Sequence, residues 1–341
     1  MLLSKGEIMS DSHTPKHVAA NRPHAVDRRR FLKTTAIAAG ASAIGPSVFA
    51  GPDRSSVAET YVGEFYKSLS DSQKKTICFP FNHKLRNRIN ANWQITKPEI
   101  GDDFYSSTQR DLVRRILKSI TSEDGFQRFE KQTEYDAGGI DAYSCAVFGD
   151  PATDKFEWEF TGRHVTLRAD GNSVANAAFG GPIVYGHGEE DDPKQNVFYY
   201  QTVKTNEVFK TLDKEQAAKA LLSSRAPRET DVATRKSGDF KGIPVAELTA
   251  EQKQVFEGAL KTLLAPFRKE DIDEVMSHVK QRGGIEKLHM QFYKQGDLNN
   301  DQQWDIWRIE GPSFVWHFRG APHVHAYINI ADPTGRQRRR G

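Results

Sequence analysis

Between residues 57 and 330 the spacing of apolar residues switches from helical to extended and back, twice over. In the first stretch Val57, Tyr61, Val62, Phe65 and Leu69 form the stripe of an amphipathic helix. Ser70 followed by Gln73 has the spacing of a capping box, in which a side-chain oxygen takes an orphan amide and the glutamine reaches back. The phrase recurs as Leu212, Asp213, Gln216 and as Leu248, Thr249, Gln252. With no longer similarity around these phrases, they read as a habit of capping, not an internal repeat. From about residue 142 to 203 the period becomes two, with Phe156, Trp158 and Phe160 alternating with Glu157 and Glu159, which predicts a half-buried strand. The apolar phase slips at Gly162, where a bulge or bend is expected. "FGGPIVYGHGEEDDPKQN" reads as a long loop around a short strand. Residues 212 to 282 return to helices, broken by the polar stretch 223 to 242 and by Pro266, and residues 285 to 330 are β again. That order, helices-strands-helices-strands, predicts an α+β fold with a largely antiparallel β-sheet and helices packed on one face. Residues 51–335 are expected to form a single domain, followed by a basic tail at 336–341.

The first 50 residues have a different character. "DRRRFLKTTAIAAGASAIGPSVFAG" sets Arg28, Arg29 and Arg30 before a mildly apolar, small-residue stretch, the pattern of a twin-arginine signal peptide over residues 1–50 with cleavage after Ala50. The expected partner is the twin-arginine export machinery, and the expected location is periplasmic or secreted, with no membrane span after cleavage. Removal of this segment takes seven Lys/Arg and three acids, turning a formal charge of +3 into −1. The basicity of the full chain belongs to the leader, so net charge points to no nucleic acid partner. Cys78 and Cys145 would meet an oxidising compartment, and the sequence leaves open whether they pair. Folded export favours proteins that acquire a cofactor before crossing.

The C-terminal run "FVWHFRGAPHVHAYINI" concentrates the chemistry. On alternation, Val324, Ala326, Ile328 and Ile330 share one face, with His323, His325, Tyr327 and Asn329 on the other. Phe314, Trp316 and Phe318 oppose Val315 and His317; Leu288, Met290 and Phe292 oppose His289, Gln291 and Tyr293; and His164 falls beside Thr166 and Arg168. If the apolar faces meet one core, these five histidines gather on the other face. A five-residue connection from Phe318 to Pro322 would set His317 opposite His323. His-x-His on one strand with a third imidazole from its neighbour suits zinc, copper or iron with an open position. The expected ligands are His317, His323 and His325, with His164 or His289 in support. The bland alternative is a sheet face open to water. Trp307, Tyr327 and Tyr293 suggest the aromatic wall of a pocket, Arg308, Arg319 and Tyr327 are candidate substrate contacts, and Glu310 is the nearest acid for proton transfer. His83 and His278 are expected at the surface, and His187 in a Gly-rich acidic loop. Phosphate-loop, dinucleotide, nucleophile-elbow and zinc-protease motifs are absent, so no nucleotide cofactor is expected.

The phrases Leu-Ser-x-x-Gln at 69–73, "GRHVTL" at 162–167, "FGGPIVYG" at 179–186 and "WRIEGPSFV" followed by "HVH" resemble an exported bacterial family known as domain-of-unknown-function family 3500. The resemblance covers most of residues 55–330. It implies a common design for His164, His323 and His325, and implies no activity or substrate. An arginine that the family pattern carries four positions after the second histidine of His-x-His is here Asn329, with Arg308 and Arg319 as the candidate substitutes. Together these features predict an exported protein with a histidine-rich pocket, a metal-dependent hydrolase or oxidoreductase acting on a small-molecule or polymeric substrate. The alternative is a non-catalytic periplasmic ligand-binding or interaction protein without metal.

Overall fold

The computed structural model describes residues 51–297 and 300–333; the signal peptide expected at 1–50 and the basic tail expected at 336–341 lie outside them. The chain runs α1 (Val57–Ser68), α2 (Asp71–Ile77), β1 (Cys78–Phe79), α3 (Ser107–Ser119), α4 (Glu123–Ala137), β2 (Ser144–Asp150), β3 (Lys155–Gly162), β4 (Val165–Ala169) and β5 (Ile183–His187). It continues through α5 (Tyr199–Thr211), α6 (Lys214–Ala220), β6 (Leu221–Leu222), β7 (Ile243–Pro244), α7 (Ala250–Leu264), α8 (Lys269–Gln281), β8 (His289–Tyr293), β9 (Ile306–Gly311), β10 (Phe314–Arg319) and β11 (Val324–Ile330). The strands form one sheet in the order β1-β2-β3-β4-β5-β11-β10-β9-β8-β6, with β7 beside β8. It is the expected α+β architecture. Only β1–β2 and β6–β8 pair in parallel. The buried faces of the helices and one face of the sheet make a single large cluster that includes Phe65, Ile116, Phe256, Leu263, Trp158, Trp307 and Trp316.

The sheet order reads the same from both edges, and this overturns the no-repeat expectation. Strands β1 to β5 of the first half match β6, β8, β9, β10 and β11 of the second, meeting at the antiparallel β5–β11 seam. The capping boxes sit at matching points. Ser70 and Gln73 open α2 as Asp213 and Gln216 open α6, and Ser106 and Gln109 open α3 as Thr249 and Gln252 open α7. Their glutamines also repeat a tertiary network. Gln73 Nε2 donates to Phe104 O at 2.6 Å and to Gln109 Oε1 at 2.8 Å, while Gln109 Nε2 donates to Ser68 O at 2.9 Å. In the second half Gln216 Nε2 donates to Glu247 O at 3.1 Å and to Gln252 Oε1 at 3.0 Å, and Gln252 Nε2 donates to Thr211 O at 2.7 Å. The short phrases visible in sequence mark corresponding points of two structurally matching halves. Each box contributes about 1 kcal/mol to its helix start, and the glutamine pairs additionally tie two helix starts together.

Three local expectations change. The phase slip at Gly162 is a chain reversal: Gly162 pairs with Val165 around a two-residue turn, Arg163–His164, with His164 at φ 58°. The β9–β10 turn is its counterpart, Gly311 pairing with Phe314 and Ser313 at φ 57°. Second, β3 is buried on both faces, since Glu157 and Glu159 are fully covered. Third, the non-core face of the sheet is roofed by irregular chain. Trp93 and Ile95 pack with Ala146 and Phe148 over the first half, and Ala91 and Val232 pack with Val184, Val315 and Tyr327 over the seam. Backbone contacts fix the roof, among them Thr166 Oγ1 to Asn90 O at 3.2 Å and Asn329 Nδ2 to Val232 O at 2.9 Å. Both cysteines are free.

Candidate metal centre

At the seam, the β3–β4 turn, the end of β5 and the β10–β11 hairpin come together at one end of the sheet. His164, His323 and His325 form a group there, each offering one nitrogen, with the three nitrogens within 4.8 Å of one another. Ring centroids stand 5.3 Å apart for His164–His323, 5.0 Å for His164–His325 and 4.6 Å for His323–His325. Gly186 makes the approach possible. It lies opposite His325 in the β5–β11 ladder, and a Cβ built on it would stand 2.1 Å from Val324 O and 3.3 Å from the His164 Cβ. His164 reaches the group from a left-handed backbone position that favours glycine or asparagine, a conformation costing an L residue on the order of 1 kcal/mol.

Two of the imidazoles are each backed by a carboxylate. His164 Nδ1 lies 2.8 Å from Asp136 Oδ2, and His325 Nδ1 lies 2.6 Å from Glu229 Oε2. Ionised carboxylates only accept, so each Nδ1 carries the proton and each Nε2 keeps a free lone pair. Asp136 comes from the helix side on the last turn of α4, where it also accepts from Gln132 Nε2 at 2.8 Å and from the Gly188 amide at 2.9 Å. Burial would raise its carboxyl, but the hydrogen bonds from His164 and Gln132 hold it below the usual range. Glu229 comes from the roof. Burial works against its charge too, and is outweighed by the His325 hydrogen bond and the Arg319 guanidinium, whose Nε stands 2.7 Å from Glu229 Oε1. Arg319 also places its NH2 2.9 Å from His323 Nε2 and 2.8 Å from His325 Nδ1. The His323 imidazole is pushed down to about 4 by burial and by the neighbouring His325 and Arg319, and His325 is lowered chiefly by burial. Both shifts favour the neutral imidazole near pH 7.

The remaining candidates lie elsewhere on the roofed face. His317 pairs with Tyr327, not with His323, and Arg319 pairs with His325. The turn lies two residues further along the chain than expected, which moves the partner of His317 by four positions, because β10 stays clamped to β9 through Arg319–Ile306, with Gly320 N continuing to Asp305 O at 2.7 Å. An even shift preserves the face, so His317 still points to the roofed side, about 7 Å along the strand from Arg319. It is buried, its ring pushed down to about 3 by burial and by Arg308. Arg308 lies directly opposite it on β9. Tyr327 is buried on the other side of His317, its ring 6.1 Å from that of His325. Glu310 accepts from Arg235 at 2.9 Å and from Arg308 at 3.2 Å, and sits opposite Val315, about 13 Å along the ladder from Arg319. His289 starts β8 opposite Glu310, against Phe240. Trp307 packs on the core side against Phe318, while Tyr293 donates to Gln291 Oε1 at 2.7 Å on the roofed side. His278 is buried, contrary to the surface expectation; His187 is buried in β5 and stacked on Tyr135, with ring centroids 4.5 Å apart.

Asp136 and Glu229 are the two site residues that the sequence did not single out. Asp136 had a faint signal, because an acid in the last turn of a helix opposes the helix dipole and calls for another reason to be there. Glu229, inside an irregular polar stretch, had none.

Among the described residues no helix is long and apolar enough to cross a membrane. No curated protein matches this chain, and no solved structure matches it. Residues 54–331 match the family described as "Protein of unknown function (DUF3500)", and the chain belongs to that family.

Proposed function

We propose that this is an exported metalloprotein in which His164, His323 and His325 hold a zinc, copper or iron ion for hydrolytic or oxidative chemistry on a small-molecule or polymeric substrate. The observation that carries the reading is the pairing of two imidazoles with carboxylates, which leaves each an Nε2 lone pair, within a group whose offered nitrogens lie within 4.8 Å of one another. A tetrahedral ion with bonds of about 2 Å holds its nitrogens roughly 3.3 Å apart, within reach of small rotations from the present spacing. Three protein ligands leave a coordination position open, and a metal there would act as a Lewis acid toward water or a substrate oxygen. The negative charge of Asp136 and Glu229 offsets a divalent ion beside Arg319. Arg319 and Tyr327 stand where a substrate polar group would meet the site, and Arg308 lies deeper. Glu310, held ionised by two arginines, is better placed to fix those arginines than to exchange a proton.

Metal analysis of protein folded in the cell and exported through its own leader tests this reading. One equivalent of a transition metal is expected, lost when His323 and His325 are both changed to alanine. Metal-free wild-type protein would overturn it. The 2.9 Å contact from Arg319 NH2 to His323 Nε2, which can accept it, favours a second reading, a periplasmic binding protein in which the guanidinium takes the place of a metal. That reading predicts no metal and a fold that loosens on Arg319→Ala. Cleavage after Ala50 and retention of an Arg28→Lys, Arg29→Lys variant in the cytoplasm would test the export route.

A further inference from the structure

The duplicated architecture allows the two halves to be compared position by position. In both the β3–β4 and β9–β10 hairpins, the pair three steps before the turn lies on the roofed face. In the first copy that pair is Glu159 and Arg168; in the second it is Arg308 and His317. The first copy compensates its charges internally. Arg168 NH1 donates to Glu159 Oε1 at 2.7 Å and to Glu157, whose other oxygen takes Arg86 NH1 at 2.8 Å. In the second copy the acid has become an arginine and the arginine a histidine, so two nitrogen groups face each other without an acid between them. Ile306 stands where the first copy has Glu157.

The donors of that pair are only partly engaged. Arg308 donates through Nε to Glu310, a carboxylate already shared with Arg235, and through NH2 to Asp231 O at 2.9 Å. Its NH1 has no hydrogen-bond partner, nor has His317 Nδ1, although both residues are buried, at 4% and 1% exposure. A buried guanidinium donor without an acceptor has lost its water and gained nothing in return, a loss that a ligand oxygen would recover. The chain above, residues 225 to 231, is largely exposed and has no helix or strand.

We propose that Arg308 and His317 form a carboxylate-binding subsite, placed where the first half carries the Glu159–Arg168 pair. It lies beneath the 223–242 segment, about 7 Å along the strand from the Arg319 and His325 pair. A substrate bearing a carboxylate would anchor there and extend toward the three-histidine group. This extension rests on the metal reading; the subsite itself does not.

The test uses the mature chain, chelator-treated and untreated, with succinate as probe and sodium chloride at equal ionic strength as control. Saturable binding by calorimetry is expected in both preparations, weakened at least tenfold by Arg308→Gln. The double variant Arg308→Glu, His317→Arg recreates the pair of the first copy, so it is expected to fold and to bind no succinate. Metal content is measured on the same samples. No saturable binding to the wild type, equal affinity in Arg308→Gln, or binding that vanishes with the metal would overturn the subsite. Arg308-dependent succinate binding by protein that never holds metal would uphold the subsite and remove the three-histidine reading.

Discussion

Changing Glu274 to glutamine should flatten the stability of the protein against pH on the alkaline side of neutrality. Glu274, on α8, and Asp170, just after β4, are buried carboxyls, and the charge of Asp170 raises Glu274. Burial, with Asp170 and Asp271, pushes Glu274 up to about 8; burial, with Glu157, pushes Asp170 up to about 7. In the unfolded chain both fall near 4, so the folded state binds more protons between these limits. The stability these carboxyls allow is complete below about pH 4 and is lost as pH rises through 7 and 8. Histidines work the other way. His317 and His323 are depressed by burial, so below about pH 6.5 the unfolded state gains protons on them and stability rises with pH. The interval from about pH 6.5 to 8 therefore isolates the carboxyls. Linkage with the two raised values gives a loss of about 2 kcal/mol across it, about two-thirds of it from Glu274. Urea denaturation of chelator-treated protein, followed by tryptophan fluorescence at several pH values, measures this directly. Glutamine keeps an acceptor for the Phe179 amide, which Glu274 Oε2 takes at 3.3 Å, so Glu274→Gln should gain over the wild type as pH rises. A wild-type curve flat across the interval, or a variant curve parallel to it, would refute the reasoning.

Other consequences follow from the same geometry. Asp136→Asn should weaken metal retention at His164 by about 10- to 100-fold with the fold intact, because the imidazole loses the partner that sets its tautomer; competition with a chelator measures it. Glu229→Gln should act similarly at His325, and because it also unpairs Arg319 the two effects should be separable by restoring charge with Glu229→Asp. Gly186→Ala should cost about 2 kcal/mol or more, since its Cβ would meet the Val324 carbonyl at the central seam; a thermal midpoint within a degree of wild type would contradict the close approach. Gln252→Ala should destabilise more than an exposed capping residue, by about 2 kcal/mol in chemical denaturation, because it removes both the cap and the link to Gln216 and Thr211.

Much of the fold was legible because it depends on local period. Residues 57–69 alternate with helical spacing, and α1 runs Val57–Ser68; the alternation at 314–318 and 324–330 matches β10 and β11. The faces of the histidines were legible for the same reason, since side chains alternate whatever the partner strand. Register was not. Moving His317 from His323 to Tyr327, four positions along β11, leaves every side chain on its own face and changes only which group it joins, and that choice was made by β9, which the hairpin sequence does not contain.

The sequence by itself determined the helix starts, the two faces of each strand and the concentration of histidines near the C-terminus, because capping and alternation are properties of neighbouring residues. Only the tertiary structure decided that the unit is duplicated, that its two copies meet at β5 and β11, and that His164 of one joins His323 and His325 of the other. It also supplied the carboxylates behind them and the roof that keeps that face from water. These contacts join residues 28 positions apart for Asp136 and His164, 96 for Glu229 and His325 and 161 for His164 and His325, and no local spacing in the chain encodes them.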